Sequence, residues 1–176
     1  MKNRGFTLIE LLVASSLFVL VVGFGMSLWL SITRIQRGNI AKQNIYSESR
    51  FLINQLKSDI QAGQIAYDTV APYPNSAIPV QTELRVLTKN GQITRYFIAA
   101  NSGVQALEKE VVGSGLPPDV LSSSSITITR FDIYITPLVK TDGVAPLVTI
   151  VWRAQDLKTD RPESINIQTT VSLRNY

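Results

Sequence analysis

The sequence predicts an α+β protein in which one long N-terminal α-helix packs on an antiparallel β-sheet. Three observations carry this prediction. An uncharged apolar run extends from Leu11 to Thr33. Apolar residues then recur at helical spacing as far as Ile60, and beyond Pro79 the pattern changes to short alternating runs separated by turn residues.

The first segment is long enough to cross a bilayer. A helix of about 20 apolar residues spans the roughly 30 Å hydrocarbon core, and the run is interrupted only by Ser15, Ser16, Gly23, Gly25, Ser27 and Ser31. The transmembrane part is placed at about residues 9–33, with Trp29 and Arg34 as interface anchors at its far end. Lys2 and Arg4 precede it and hold the leader on the cytoplasmic side, although Arg34 and Arg37 oppose that orientation. An ordinary secretory signal peptide would have a shorter apolar core and a small-residue cleavage site, whereas this run continues as helix through Ser31-Ile32-Thr33-Arg34. A plain single-pass anchor leaves Glu10 unexplained, because a carboxylate in such a segment costs on the order of 2–3 kcal/mol unless neutralised or paired.

Gly5-Phe6-Thr7-Leu8-Ile9-Glu10, following the basic Met1-Lys2-Asn3-Arg4, resembles the processing site of type IV prepilins at all six positions. The resemblance implies that a membrane prepilin peptidase cuts after Gly5, removes residues 1–5 as a leader and methylates the new N-terminal Phe6. It implies that Glu10 is an assembly residue. After cleavage the α-amine of Phe6 on one subunit can meet Glu10 of a neighbour in a dry filament core, where opposite charges attract far more strongly than in water. Many major pilins carry a proline near the middle of this segment; this chain has none, so Gly23 and Gly25 are the weak points of the helix. The implied architecture is the type IV pilin-like fold, with a helix over 6–63 and a globular β domain over 64–176. The closing phrase Ser172-Leu173-Arg174-Asn175 resembles the ends of larger minor pilins and J-type minor pseudopilins.

The function expected from this resemblance is that of a minor pilin or pseudopilin subunit of a type IV pilus or a type II secretion filament. Its partners would be the prepilin peptidase, an inner-membrane assembly platform and other pilins or pseudopilins. The protein would sit in the inner membrane with its C-terminal domain outside the cytoplasm until incorporated into a pilus or pseudopilus. The alternative from another class is a membrane-anchored extracytoplasmic binding protein that never polymerises.

Composition narrows the chemistry. The formal charge of +4 becomes +2 once Lys2 and Arg4 leave with the leader, so the basic balance does not argue for nucleic acid. The chain has no cysteine and no histidine, which removes disulfides, thiolate and imidazole ligands and the usual nucleophile–base pairs. No enzymatic activity and no cofactor are expected. Asp142, Asp156 and Asp160 lie in polar turns without EF-hand spacing, so calcium binding is not expected. Trp152 and Tyr96-Phe97 could stack on bases, but within strands they serve as core or sheet-face residues, and nucleic acid is not expected as a partner.

Beyond Ile35, Ile45, Leu52, Leu56 and Ile60 form an apolar stripe joined by Ala41, Ser49 and Ile53, with Lys42, Glu48, Arg50, Lys57 and Asp59 on the opposite side. Ala62-Gly63 ends the helix as a C-terminal cap; Gly38 offers a bend, and two helices broken near Arg37–Asn39 are the alternative. Residues 67–79, with Pro72, Pro74 and Pro79, read as a connecting loop. Leu84–Leu87 and Ile93–Ile98 flank Lys89-Asn90-Gly91, a hairpin signal. Val104–Val112 suits a third strand or, around Leu107–Glu110, a short helix. Gly113–Ser125 reads as a long flexible loop. Ile126–Thr129 and Phe131–Ile135 alternate with a change of phase at Arg130; Leu147–Trp152 follows a turn at Asp142-Gly143, and Ile165–Leu173 closes an antiparallel meander.

Overall fold

A computed structural model of the chain describes residues 7–68, 73–75, 77–158 and 162–173. The chain divides into two compact units, residues 1–40 and 41–176. One helix, α1 (Leu8–Ala62), contributes to both. Residues 37–39 are helical, so the alternative of two helices is not observed.

From Leu11 to Thr33, within the first unit, the helix is apolar on every side. Its most hydrophobic 18-residue window has a mean hydropathy of 2.3, and none of that window is buried by other parts of the chain. Ser15, Ser16, Ser27, Ser31 and Thr33 donate their hydroxyl protons to carbonyls three or four residues earlier, which removes them as unpaired polar groups in an apolar medium.

The second unit is α+β. Among the described residues eight strands follow α1 in order: β1 (Gln64–Ile65), β2 (Glu83–Leu87), β3 (Ile93–Asn101), β4 (Val104–Val111), β5 (Asp119–Val120), β6 (Ile126–Thr136), β7 (Leu147–Asp156) and β8 (Ser164–Ser172). They form two antiparallel sheets in place of a single meander, a five-stranded one in the order β1-β2-β3-β4-β5 and a three-stranded one in the order β6-β7-β8. The buried residues of α1 are Ala41, Ile45, Ser49, Leu52, Ile53, Leu56 and Ile60, the stripe expected from spacing. They share one core with Leu84, Val86, Tyr96 and Leu107 of the first sheet and with Ile133, Ile150, Trp152 and Val171 of the second.

The local grammar explains the strand ends. Gly91 adopts φ +76° in the β2–β3 connection, where Thr88 and Gln92 close the turn. The β3–β4 turn places both Ser102 and Gly103 at positive φ, as a two-residue hairpin of matching twist requires. In β6 the phase change is a β-bulge between Ile128 and Arg130, which lets Ile126 and Ile128 before it, and Phe131, Ile133 and Ile135 after it, all face the core.

Of the two readings of Val104–Val112 the strand is observed, over Val104–Val111, with Leu107 fully buried opposite Ile98. Two expectations are corrected. Gly113–Ser125 is not a free loop: β5 pairs with β4, Ser122 accepts the Leu107 N–H at 3.0 Å, and Ser123 donates its N–H and Oγ–H to Glu48 at 2.6 and 2.8 Å. Gly63 acts through space and not through a left-handed cap, since a Cβ there would stand 2.5 Å from Val86 Cγ1 and 2.7 Å from the Leu87 carbonyl.

Two substitutions test the seam between α1 and the sheets. Leu56→Asp places an unpaired charge at a fully buried position, at a cost of several kcal/mol against a total of about 5–15, so thermal melting of the domain should be lost or strongly lowered. Trp152 Nε1 donates to Ser49 Oγ at 3.1 Å inside the core. Ser49→Ala leaves that N–H unsatisfied and should cost about 1–3 kcal/mol in urea unfolding.

Candidate functional site

The helix start is the part of the molecule where sequence motif and local geometry coincide. Leu8, Ile9 and Glu10 are the first three helical residues, and Thr7 stands at the N-cap. Thr7 Oγ1 accepts the Glu10 N–H at 3.3 Å, and Glu10 Oε2 accepts the Thr7 N–H at 2.9 Å and its hydroxyl at 3.0 Å. This is a reciprocal capping box, which satisfies donors that a helix terminus leaves without intrahelical partners. The carboxylate also sits at the positive end of the helix dipole.

Glu10 is therefore held by its own chain. Only Oε2 is engaged; among the described residues Oε1 makes no hydrogen bond and stands open to a further donor. Gly5 and Phe6, the other residues singled out from the motif, lie outside the described residues. Thr7 is the residue that motif reading passed over. Its signal was present as Thr-x-x-Glu ahead of an apolar run, a recognisable helix-start pattern.

Elsewhere the polar side chains serve structure. Asp59, expected on the solvated side of the helix, instead accepts the Tyr96 hydroxyl through Oδ2, which also lies 3.4 Å from Lys109 Nζ. Burial, followed by the Asp59 hydrogen bond and charge, pushes the Tyr96 phenol up, so it remains a proton donor. Beside this cluster lies a cavity of about 290 Å³, lined among others by Gly63, Thr94 and Lys109. Asp59 and Lys109 of its wall are paired with each other, and Lys89 also lines it. The outer face of the five-stranded sheet carries a cross-strand ion network in which Glu83 meets Arg85 at 2.6 Å and Arg95 at 3.6 Å, and Arg95 meets Glu110 at 2.6 Å.

Trp152 and Tyr96 are both fully buried, while Phe97 packs under the Arg95 guanidinium at 4.3 Å. Asp142 lies in the turn before β7, Asp156 ends β7 in a buried position, and Asp160 lies outside the described residues. Among the described residues no three acidic side chains converge where they could hold a metal ion.

Residues 1–26 match the family model described as the prokaryotic N-terminal methylation motif. No curated protein matches the chain, and no solved structure does. The motif match supports a type IV prepilin-like N-terminus over residues 1–26. The long helix packed on antiparallel sheets is consistent with the pilin-like fold. The exposed apolar helix that begins inside the matched segment is long and apolar enough to cross a membrane once, which with the motif is consistent with a single-pass membrane anchor.

The capping box is tested at Thr7. Thr7→Ala should remove about 1 kcal/mol from the first turn, seen as roughly fivefold faster exchange of the Glu10 and Leu11 amides, which bond to Thr7, in micelles. Thr7→Ser, which keeps the hydroxyl, should exchange as the parent does.

Proposed function

We propose that this chain is a minor pilin or minor pseudopilin subunit: a substrate of prepilin peptidase that is cut after Gly5, methylated on Phe6 and drawn from the membrane into a filament through its N-terminal helix. The methylation motif over residues 1–26 carries this reading. The form of α1 supports it. One part of the helix offers a wholly apolar surface suited first to lipid and then to other helices, and the other part is stitched into a folded domain by the stripe from Ala41 to Ile60. The domain is then the part exported beyond the inner membrane, and the protein has a structural and not an enzymatic role.

The minor subtype rests on the Ser172-Leu173-Arg174-Asn175 ending, of which Arg174 and Asn175 lie outside the described residues. The size of the β domain and the absence of cysteine, hence of a C-terminal disulfide loop, agree with it. Partners are the peptidase, an assembly platform of the inner membrane and neighbouring pilins or pseudopilins. The experiment is intact mass and N-terminal sequencing of protein extracted from membranes of cells with active peptidase. A start at methylated Phe6 is expected; a start at Met1 overturns the reading.

The role of Glu10 separates into two parts that one pair of variants resolves. Glu10→Gln keeps a capping side chain and removes the charge, whereas Glu10→Leu removes both. If the carboxylate pairs with the Phe6 amine of a neighbour, both variants should be cleaved yet depleted from sheared filaments. Parent-like incorporation of Glu10→Gln would reduce the residue to its capping role.

A further inference from the structure

Natural sheets protect their edges, because a row of unpaired N–H and C=O groups is a template for another strand. Three edges of this domain follow that rule. β1 and β5 are only two residues long. The outer side of β6 is bridged by Gln81, which exchanges hydrogen bonds with Ile133 at 2.8 and 2.9 Å, and it carries the bulge together with the charged Arg130 and Asp132.

The fourth edge, β8, has none of these devices. Its nine residues pair with β7 without a register shift and include no charged residue and no proline. The hydrogen bonds Leu173 N–H to Pro146 O and Asp156 N–H to Glu163 O fix the phase of the ladder. Odd-numbered residues of β8 bond to β7, and Ser164, Asn166, Gln168, Thr170 and Ser172 direct their N–H and C=O groups away from it. Among the described residues nothing pairs with that side. Ile165 and Ile167, on the core side, are left half-buried at the rim.

We propose that this edge is an interaction surface that takes an antiparallel strand from a second copy of the same chain, β8 against β8, joining two three-stranded sheets into one of six. The strand is complementary to itself. A two-fold axis at Gln168 sets Asn166 opposite Thr170, Ser164 opposite Ser172, Ile165 opposite Val171 and Ile167 opposite Thr169. Uncharged polar side chains meet one another on the outer face, and Ile165, Ile167, Val171 and the methyl of Thr169 meet on the inner face, with no charge brought together. The registers one residue to either side would set backbone groups already used by β7 against the new strand, so even shifts alone compete. The inference rests on the ladder phase of β8 and does not depend on the prepilin reading.

The chain has no cysteine of its own, so single thiols report the contact without background. Directly opposed residues of such a pair lie about 5.5 Å apart at Cα, within disulfide range. The full-length chain in membranes is oxidised mildly after Gln168→Cys, and separately with Asn166→Cys and Thr170→Cys on two differently tagged copies. A homodimer bridged at position 168 is expected, with the mixed 166–170 bridge several-fold more abundant than 166–166 or 170–170. As a second readout, Gln168→Lys alone or Gln168→Glu alone should lose co-purification of the two tags, and mixing the two variants should restore it. Absence of bridging, bridging indifferent to register, or capture of a different protein by the thiol of the Gln168→Cys variant would each overturn the self-pairing.

Discussion

The fold depends on a single seam, where one flank of α1 closes a core that neither sheet could close alone. Burying a Leu or Ile side chain is worth about 1.5–3 kcal/mol, and Ile45, Leu52, Leu56 and Ile60 are all essentially inaccessible. Polar contacts position the seam: Trp152 on Ser49, Tyr96 on Asp59 and Ser123 on Glu48 tie three different segments to two places on the same helix. Hydrogen bonds of this kind contribute modestly when made and cost more when half-made, so they select one register of helix against sheet.

The same helix meets a second constraint in its earlier part. There the apolar residues surround the axis, and the hydroxyls fold back on their own carbonyls. Such a surface is consistent with lipid or with the apolar faces of other helices, and not with water. One continuous element thus carries two kinds of sequence, a stripe where the chain supplies the cover and an all-round apolar surface where it does not.

Much of this was readable from sequence because it depends on spacing. The stripe from Ala41 to Ile60, the turn at Asn90-Gly91 and the phase change near Arg130 are periodic signals, and each appears where its period places it. The errors share a physical cause. Asp59 and Glu48 looked solvated because their partners lie 37 and 75 residues away, and no local pattern encodes contacts of that range. β1 and β5 are too short to show alternation, so the division into two sheets was hidden. Asn-Gly announces a turn, whereas Ser102-Gly103 does so only weakly. Thr7 was legible but overlooked, its capping role masked by membership of a longer motif.

The capping box also bears on how the protein can be cut. A helix whose first turn was secured by residues upstream would fray when those residues were removed, exposing bare N–H groups at the moment its end must rest in a poorly hydrated place. Here the fastening lies wholly between Thr7 and Glu10. The break proposed between Gly5 and Phe6 would fall outside it, so a chain shortened there would keep a finished end, like a cord cut beyond its knot.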